Sequence, residues 1–547
     1  GSFPEETAGG EPAVSAGSKR RLRPAKEGEV PGKPEPVAVL DIGASSARLL
    51  VAEVVSDQPV RVIEEASRGV LIGKDTFTSG RIGEATLEAV IKALSGFRKI
   101  MEGYEVRLYR AVATSAVREA ANRDAFIDRV RLRTGLEVQM IDGPEENRLT
   151  YMAVQGDLGT NEALTSGDAL LVEVGGGSAD ISYLRKGEPL RSGTYALGSV
   201  RMTQRLAPWH GSHEGRIKVL RRYISHVVGE IRREMPLARV THFIALGGDV
   251  RFAASRLLTQ PTPGAPRAVD VSREAFIGFC EEVVNYGFDD LVEYYGLPPV
   301  EAETLVPALV AYQELLLATP ATSVTIPEAT LRDGILLDIL QEEGGQSARD
   351  FRRQVITGAA ALGEKYGYDE GHARNVAELA LRLFDDLKEE HGLGTHSRLL
   401  LEVAALLHDI GLFIGIRAHH KHSQYILSVS EIFGLGREDM SVVANITRYH
   451  RRALPQKSHL PYMLLDRQQR IEVSKLAAIL RLANALDADH LQKVRNVSVN
   501  RTTDPWTLSV ESAGDVTIER LASMAMSDMF TDVFGHKLTF QEAEVSL

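Results

Sequence analysis

The stretch VAVLDIGASSARLL, residues 37–50, decides the fold, because a second copy, LLVEVGGGSADISYL, follows at residues 170–184. Each copy has an apolar strand, an acidic residue, a turn of Gly and Ser, and then a second strand. Glycines in such a turn let backbone N–H groups converge on an anion, and the acid can hold a metal ion or its bound water. The repeat therefore predicts two lobes that face each other across a cleft, each binding phosphate. Aligned on the acid, the matched positions are Asp41 with Glu173, Gly43 with Gly175, Ser46 with Ser178, and Arg48 with Asp180.

Length and composition exclude several classes of protein. The 547 residues suffice for three or four domains, and the net charge of −11 argues against non-specific binding to nucleic acid. Apolar runs stay well short of the ~20 residues that a membrane span needs, and residues 1–36 carry no apolar segment of a secretory signal. A single cysteine, Cys280, allows no disulfide within the chain. These features predict a cytoplasmic protein without membrane attachment.

The order of sequence patterns predicts five segments. Residues 1–36, rich in Gly, Pro, Glu and basic side chains, are expected to form a disordered tail. Strands alternate with helices over 37–160 and again over 161–341, which predicts two α/β lobes. A change of composition at residues 342–347 indicates a linker, after which residues 347–496 read as almost wholly helical. Strand patterns return over 497–547 and predict a small C-terminal α+β domain.

Local signals place several helices within the two lobes. Pro144, with Glu145 and Glu146 beside it, is typical of a first helical turn. The 3.6-residue periodicity of residues 83–104 predicts a helix. Two further helices are expected over residues 212–235 and 272–286.

Six motifs, taken together, resemble one known family, the Ppx/GppA exopolyphosphatases and guanosine pentaphosphatases of the actin/Hsp70/sugar-kinase superfamily. The resemblance covers residues 37–339 and rests on the order of the motifs, since any one alone would be unspecific. It implies an α/β fold of two actin-like (RNase H-like) lobes and hydrolysis of terminal phosphate from polyphosphate or pppGpp. The motifs are ATSAVREAANRDAFIDRV (113–130), IDGPEENRLTYMAV (141–154), VEVGGGSAD (172–180), TYALGSVRM (194–202), ALGGDVR (245–251) and TLRDGIL (330–336).

The resemblance implies roles for individual residues. Glu146 aligns with the family's catalytic glutamate, although the residues alone leave it as a helix-start acid favoured by the helix dipole, and Glu145 is its nearest rival. Arg118 is expected to bind phosphate through its planar guanidinium group; the alternative is a surface helix arginine. Gly247 and Gly248 form either a phosphate cradle or a simple tight turn. The expected phosphate-binding donors are Gly43, Ser45, Ser46, Gly175, Gly176, Gly177, Ser178, Gly247 and Gly248.

Three acids are expected to hold a metal ion or its water in the cleft: Asp41, Glu173 and Asp180, the last also catalytic. Such a set suits Mg²⁺, which usually keeps waters and shares phosphate oxygens of the substrate. The chain departs from the family here, because the family usually has Asp at position 173 and Glu at 180. The family also usually has Ser-Asn at positions 44–45 and Ser-Gly-Thr at 247–249. Asp249 thus adds negative charge near a site expected to bind phosphate. These departures leave open which substrate the protein uses and how fast it acts.

The helical segment carries a second set of ligand-type residues. His372, His408, Asp409 and Asp487 match the HD-domain pattern of His, His-Asp and a distant Asp, and His422 and His450 could complete a second metal position. Imidazole with carboxylate suits Zn²⁺, Mn²⁺, Fe or Mg²⁺. The alternative is a set of satisfied core histidines in a retained scaffold.

Three functions remain open from the sequence. The first is an exopolyphosphatase, with pppGpp as a further substrate. The second is a regulator that binds guanosine penta- or tetraphosphate and turns it over slowly. The third is an HD phosphohydrolase in which the actin-like part only senses ligand. The resemblance favours a homodimer and no specific nucleic-acid partner.

Overall fold

The structure is a computed structural model that describes residues 23–24, 35–54, 60–258, 268–340, 346–451 and 453–542. Most of the expected N-terminal tail and of the expected linker lies outside these residues. No helix in the described part is both long enough and apolar enough to cross a membrane.

The first lobe is built on a mixed sheet with strand order β1-β5-β2-β3-β4, and β6 lies beside β5. Strands β2 and β3 form an antiparallel hairpin that pairs Asp41 with Arg48, and β5 runs parallel to β2. The turn of the hairpin closes through the Gly43 N–H, which donates to the Ser46 carbonyl oxygen at 3.0 Å. The strands are β1 Arg23–Pro24, β2 Glu35–Ile42, β3 Ser46–Val54, β4 Arg61–Gly69, β5 Leu108–Ala113 and β6 Val138–Met140.

One face of this sheet is covered by an apolar core that includes Leu94 and Phe97 from the second helix. That helix, α2, spans the region whose periodicity predicted it. The helices of this part of the chain are α1 Ile72–Ser79, α2 Glu84–Gly103, α3 Ser115–Arg118, α4 Arg123–Thr134, α5 Gly143–Leu158 and α6 Glu162–Thr165.

The second lobe repeats the plan of the first in a sheet with order β11-β12-β10-β7-β8-β9. Its antiparallel hairpin β7–β8 pairs Glu173 with Asp180, and β10 runs parallel to β7 as β5 does to β2. The repeat that the sequence predicted is therefore a repeat of strand pairing. The strands are β7 Asp168–Val174, β8 Ala179–Arg185, β9 Glu188–Tyr195, β10 His242–Leu246, β11 Ala268–Ser272 and β12 Ser323–Pro327.

The helices of the second lobe pack mainly on the outer face of its sheet. Ser272, expected inside a helix, is instead the last residue of β11 and the N-cap of α10, where its side chain accepts the Ala275 N–H. The helices are α7 Ser199–Leu206, α8 His213–Glu234, α9 Gly248–Leu257, α10 Arg273–Val284, α11 Phe288–Tyr295, α12 Pro299–Leu317 and α13 Leu331–Leu340, with a 3₁₀ helix at Leu237–Arg239.

Helices α5 and α13 cross between the two sheets. Leu149 of α5 and Ile335 of α13 share one core with the apolar side chains of β2, although α13 follows the second lobe in the chain. Gly334 permits this crossing, since a Cβ there would lie 1.9 Å from the Leu149 carbonyl oxygen. The crossing fixes the first turn of α5 at the edge of both sheets.

The C-terminal half is helical, with a three-stranded sheet of order β13-β14-β15 at its end. It contacts the lobes through α14 on β9, and through Phe433, whose ring meets Tyr151 edge-on at 5.4 Å. Its elements are α14 Gln346–Lys365, α15 Glu370–Asp386, α16 Lys388–His391, α17 Thr395–Leu407, a 3₁₀ helix Ile410–Phe413, α18 His419–Ser428, α19 Arg437–Arg448, α20 Leu460–Met463, α21 Arg467–Ala485, β13 Val494–Asn500, β14 Trp506–Ser512, α22 Thr517–Met526, α23 Asp528–Phe534 and β15 Leu538–Glu542.

Candidate active site

The two Gly/Ser turns meet at a cleft between the lobes. A Cβ on Gly176 would lie 2.7 Å from the Cβ of Ala44, so the turn of the second lobe packs directly against the turn of the first. A Cβ on Gly177 would lie closer still, 2.2 Å from the Ser115 hydroxyl oxygen at the start of α3. The resulting cavity has a volume of about 260 Å³.

All nine expected phosphate-binding residues line this cleft. Gly247 has φ 122°, a conformation that favours glycine, and it caps α9, which begins at Gly248. The first residues of α7 and α13, Ser199 and Leu331, also line the cavity. Helix N-termini carry positive dipole ends that favour anions, so the cleft is suited to receive them. In α7 the N–H groups of Ser199 and Arg201 already donate to the carbonyl oxygens of Gly175 and Gly176.

Three arginines that the sequence reading did not assign to phosphate also line the cleft: Arg48, Arg251 and Arg332. One guanidinium nitrogen of Arg251 and the Nε of Arg332 are buried, and no hydrogen-bond acceptor among the described residues reaches them. Buried donors of this kind need a partner, and a phosphate oxygen can supply one. The sequence did contain a signal for two of these arginines, because Arg251 and Arg332 lie within the family motifs ALGGDVR and TLRDGIL.

Glu146 projects into the cleft from the first turn of α5. The helix begins there because Asp142 is its N-cap and accepts the Glu145 N–H at 3.2 Å, with Pro144 following. Burial, and then the charge of Asp180, raise the pKa of Glu146 well above its usual range, while the guanidinium of Arg118 opposes the shift. A carboxyl group with a raised pKa in a cleft is suited to accept a proton from water near neutral pH.

Glu145 points elsewhere. Its carboxylate pairs with Arg148 at 2.7 Å and with Arg110 at 3.2 Å, and it does not line the cleft. Arg118 is also outside the cleft lining. Its guanidinium donates to the Ile141 carbonyl oxygen and lies 3.5 Å from Glu146 Oε2, so it contacts the candidate base rather than the cavity.

The three expected metal-binding acids surround Glu146. Burial is the main cause that raises the pKa of Asp41 and Glu173, and it raises the pKa of Asp180 to about 7. The Thr150 hydroxyl donates to Glu173 at 3.0 Å and the Thr194 hydroxyl donates to Asp180 at 2.7 Å. Asp180 lies behind Glu146 and does not line the cavity.

The cleft acids do not form a compact ligand cage. Among the described residues, no three of their oxygen atoms lie within 4.8 Å of one another, as three ligand atoms do in the helical half. The excess of buried carboxylates still fits a divalent cation, because Asp41 and Glu173 could contribute one oxygen each while waters and phosphate oxygens complete the shell. Asp249 adds to this excess, since burial and then Glu301 raise its pKa to about 7.

The helical half gathers a histidine centre around Asp409. The Nε2 atoms of His372 and His408 lie 3.2 Å apart, and Asp409 Oδ2 is 3.6 Å from that of His408. On its other side, Asp409 Oδ1 lies 3.1 Å from His419 Nε2 and 3.4 Å from His450 Nε2. Asp409 therefore stands between two pairs of imidazoles.

The outer nitrogens of these rings are already engaged. The Nδ1 atoms of His408, His419 and His450 donate to the carbonyl oxygens of Ala405, Ile416 and Thr447. Nε2 is therefore the nitrogen that each ring turns towards the centre. Burial would raise the pKa of Asp409, but the neighbouring imidazoles lower it overall, and its Oδ1 remains buried without a hydrogen bond among the described residues.

Two expected ligands take other places. His422 is not part of the centre, since the buried face of α18 carries His419, Ser423 and Ile426, and position 422 is turned away from it. Asp487 follows the end of α21 and accepts the outer Nδ1–H of His372 at 2.8 Å, so it orients the ring instead of facing Nε2. The side chain that faces Nε2 of both His372 and His408, at 3.1 Å each, is Asn484.

Comparison with known proteins gives a family for both halves of the chain. The model described as "Ppx/GppA phosphatase family" matches residues 50–343, and that of "Ppx/GppA phosphatase, domain III" matches residues 355–522. Exopolyphosphatase 1 of Mycobacterium leprae is 27% identical over 340 residues, which cover 59% of this chain and 97% of that protein. The guanosine-5'-triphosphate,3'-diphosphate pyrophosphatase of Pseudoalteromonas translucida is 22% identical over 415 residues, which cover 76% of this chain and 80% of the relative.

Solved structures support the same architecture. An exopolyphosphatase from Cytophaga hutchinsonii superposes with a TM-score of 0.52 at 22% identity, covering 56% of this chain and 98% of that chain. At this identity the likeness concerns the fold alone, and it confirms the predicted two-lobed α/β fold.

Proposed function

Because the chain belongs to the Ppx/GppA phosphatase family, we propose that its cleft hydrolyses the terminal phosphoanhydride bond of inorganic polyphosphate. The observation that carries this proposal is the meeting of one carboxyl group of raised pKa, Glu146, with unpartnered arginine nitrogens and two Gly/Ser turns. Guanosine pentaphosphate, whose terminal group has the same chemistry, is proposed as a further substrate. The names of both curated relatives motivate the two substrates.

The proposed reaction uses each group in one role. The backbone N–H groups of the two turns, other than those of Gly43 and Gly175 that close the hairpins, bind the oxygens of the last phosphates. Arg48, Arg251 and Arg332 bind the same oxygens and offset their charge. Glu146 orients a water molecule and takes its proton while the water oxygen bonds to the terminal phosphorus. The bond to the bridging oxygen then breaks, and the shortened chain leaves with the negative charge.

We propose Mg²⁺ as the cation of the cleft. Asp41 and Glu173 would hold it, and when bound it supplies positive charge beside the phosphoryl oxygens. Asp180 acts through its charge on Glu146, whose pKa it raises.

Phosphate release from long-chain polyphosphate and from pppGpp, with Mg²⁺ present, tests the proposal. Glu146→Gln should lower kcat by about 10²- to 10⁴-fold with little change in substrate binding. Glu145→Gln is the matched control, because that carboxylate is one residue away but lies outside the cleft. A Glu146→Gln variant with wild-type kcat, beside an inactive Glu145→Gln variant, would show that the base is assigned one residue off.

A second proposal concerns the histidine centre. Asp409 with His372 and His408, and Asp409 with His419 and His450, form two groups of three ligand atoms, each of which fits a transition-metal cation such as Zn²⁺, Mn²⁺ or Fe. When bound, such a cation supplies a Lewis acid. Elemental analysis of protein purified without chelator tests this proposal. The wild type should contain metal and the double variant His408→Ala/Asp409→Ala should not; equal, near-zero contents would leave this HD-like domain as a scaffold.

The assembly is proposed to be a homodimer. Light scattering of the full chain at several concentrations measures it, and a monomer mass throughout would contradict the proposal.

A further inference from the structure

A buried arginine lies beside the histidine centre, and no carboxylate of the described residues pairs with it. Arg448, the last residue of α19, is only 8% exposed, and one of its terminal guanidinium nitrogens is buried with no hydrogen-bond acceptor among the described residues. Its guanidinium carbon lies 5.7 Å from the centre of the Tyr449 ring, which is a cation–π contact.

His420 supplies a second unsatisfied atom at the same place. Its Nδ1 is buried and has no hydrogen-bond partner among the described residues, and its ring lies 6.5 Å from that of His450 and 6.0 Å from that of His419. His450 follows Arg448 by two residues, so Arg448 and His420 both lie on the rim of the histidine centre.

Further positive charge surrounds the pair. Lys421 follows His420 in the chain, and Arg451 lies three positions after Arg448. The carboxylate of the centre, Asp409, faces the Nε2 atoms of His419 and His450, at 3.1 Å and 3.4 Å. In a chain with a net charge of −11, this local excess of positive charge cannot be a general feature of the surface.

We propose that Arg448 and His420 form a second phosphoryl-binding site, which takes the tetrahedral oxyanion of inorganic phosphate or of a phosphate ester or anhydride. An unpaired buried guanidinium group is costly, and its planar fork matches two oxygens of a phosphoryl group. The Nδ1–H tautomer of His420 would donate to a third oxygen. The neighbouring imidazole pair would face the same group, whether or not it holds a metal ion.

This site is separate from the cleft. The Arg437 N–H at the start of α19 donates to Asp142, the N-cap of α5, at 2.6 Å, whereas Arg448 closes the same helix. At 1.5 Å per residue the two ends of α19 lie about 17 Å apart. Ligand binding at this site is therefore separate from the proposed reaction in the cleft, and it can be measured without substrate turnover.

Equilibrium dialysis of the full chain against radiolabelled inorganic phosphate tests the proposal. The wild type should bind two classes of phosphate, and Arg448→Met should lose one class or bind it about 10- to 100-fold more weakly. Arg332→Met, in the cleft, should lose the other class. Unchanged stoichiometry and affinity in Arg448→Met would overturn the proposal.

Folding and ligand source need their own measurements. Phosphate release in the cleft should persist in Arg448→Met, which shows that the variant is folded. If it does not persist, His420→Ala decides: loss of the second class supports the site, and retention overturns it. Competition by pyrophosphate at this class indicates an ester or anhydride ligand, whereas displacement by phosphate alone indicates inorganic phosphate.

Discussion

Asp180→Asn should move the acid limb of the pH–rate profile to lower pH. After burial, the charge of Asp180 is the largest cause that raises the pKa of Glu146, so its removal should let Glu146 ionise in more acidic solution. The replacement keeps the shape of the side chain, and the amide oxygen can still accept the Thr194 hydroxyl, which now donates at 2.7 Å. A nearby charge typically shifts a pKa by about one unit or more, and we expect a displacement of about one pH unit.

The same change should stabilise the protein at high pH. Burial raises the pKa of Asp180 from 3.8 to about 7, and at about 1.4 kcal/mol per unit the ionised form costs about 4 kcal/mol in the folded state. A carboxyl group whose pKa is raised on folding binds its proton more tightly when folded, so stability falls as the pH rises from about 4 to about 7. An Asn side chain does not ionise, so the variant does not lose this stability as the pH rises. At pH 8 without Mg²⁺ the variant should therefore gain up to about 4 kcal/mol, and near pH 4 almost nothing.

Two measurements check both halves of this prediction. Initial rates of phosphate release between pH 5 and 9, at constant free Mg²⁺, locate the acid limb, and thermal unfolding in EDTA gives the stability. Asp249→Asn is the matched control, because its pKa is also raised to about 7 but it is not among the main causes of the Glu146 shift. It should stabilise the protein and leave the acid limb in place. An Asp180→Asn variant with an unmoved acid limb and lower stability at pH 8 would refute the reasoning.

Two further predictions concern contacts around the cleft. Arg332→Ala should raise the KM for polyphosphate by about 10-fold or more, because it removes a guanidinium group whose buried Nε has no hydrogen-bond partner among the described residues. Steady-state kinetics measure the KM, and an unchanged value would contradict a phosphate contact. Arg437→Pro should lower kcat several-fold, since proline suits the first helical position but deletes the N–H that Asp142 accepts. Arg437→Ala keeps that N–H and should retain wild-type kcat; equal kcat values for the two variants would show that this bond does not support the active site.

The repeated strand–turn–strand unit could be predicted from the sequence because its signals are local. Buried strands read as apolar runs, and each hairpin carries a Gly/Ser turn that begins two residues after an acid. The start of α5 follows from Asp142 and Pro144, whereas the choice of Glu146 over Glu145 came from the family resemblance. The position of a residue relative to such a local signal is therefore readable from one chain.

The remaining site residues depend on tertiary packing. Arg251 and Arg332 reach the cleft through the packing of α9 and α13, and apart from the two family motifs no local pattern specifies that packing. Helix α18 begins at His419, and its rotation decides which of its histidines faces Asp409. Similarly, Asn484 faces the imidazoles because α21 ends just before Asp487, and helix ends are poorly defined by sequence.

The central claim is that phosphoanhydride hydrolysis takes place in the cleft between the lobes and not in the histidine centre. Phosphate release from long-chain polyphosphate with Mg²⁺, measured side by side for Glu146→Gln and for His408→Ala/Asp409→Ala, tests it most directly. The account predicts that Glu146→Gln loses about 10²-fold or more in kcat while the folded double variant keeps the wild-type rate. Loss of hydrolysis in the folded double variant, with activity retained in Glu146→Gln, would contradict the account and place the reaction in the helical half.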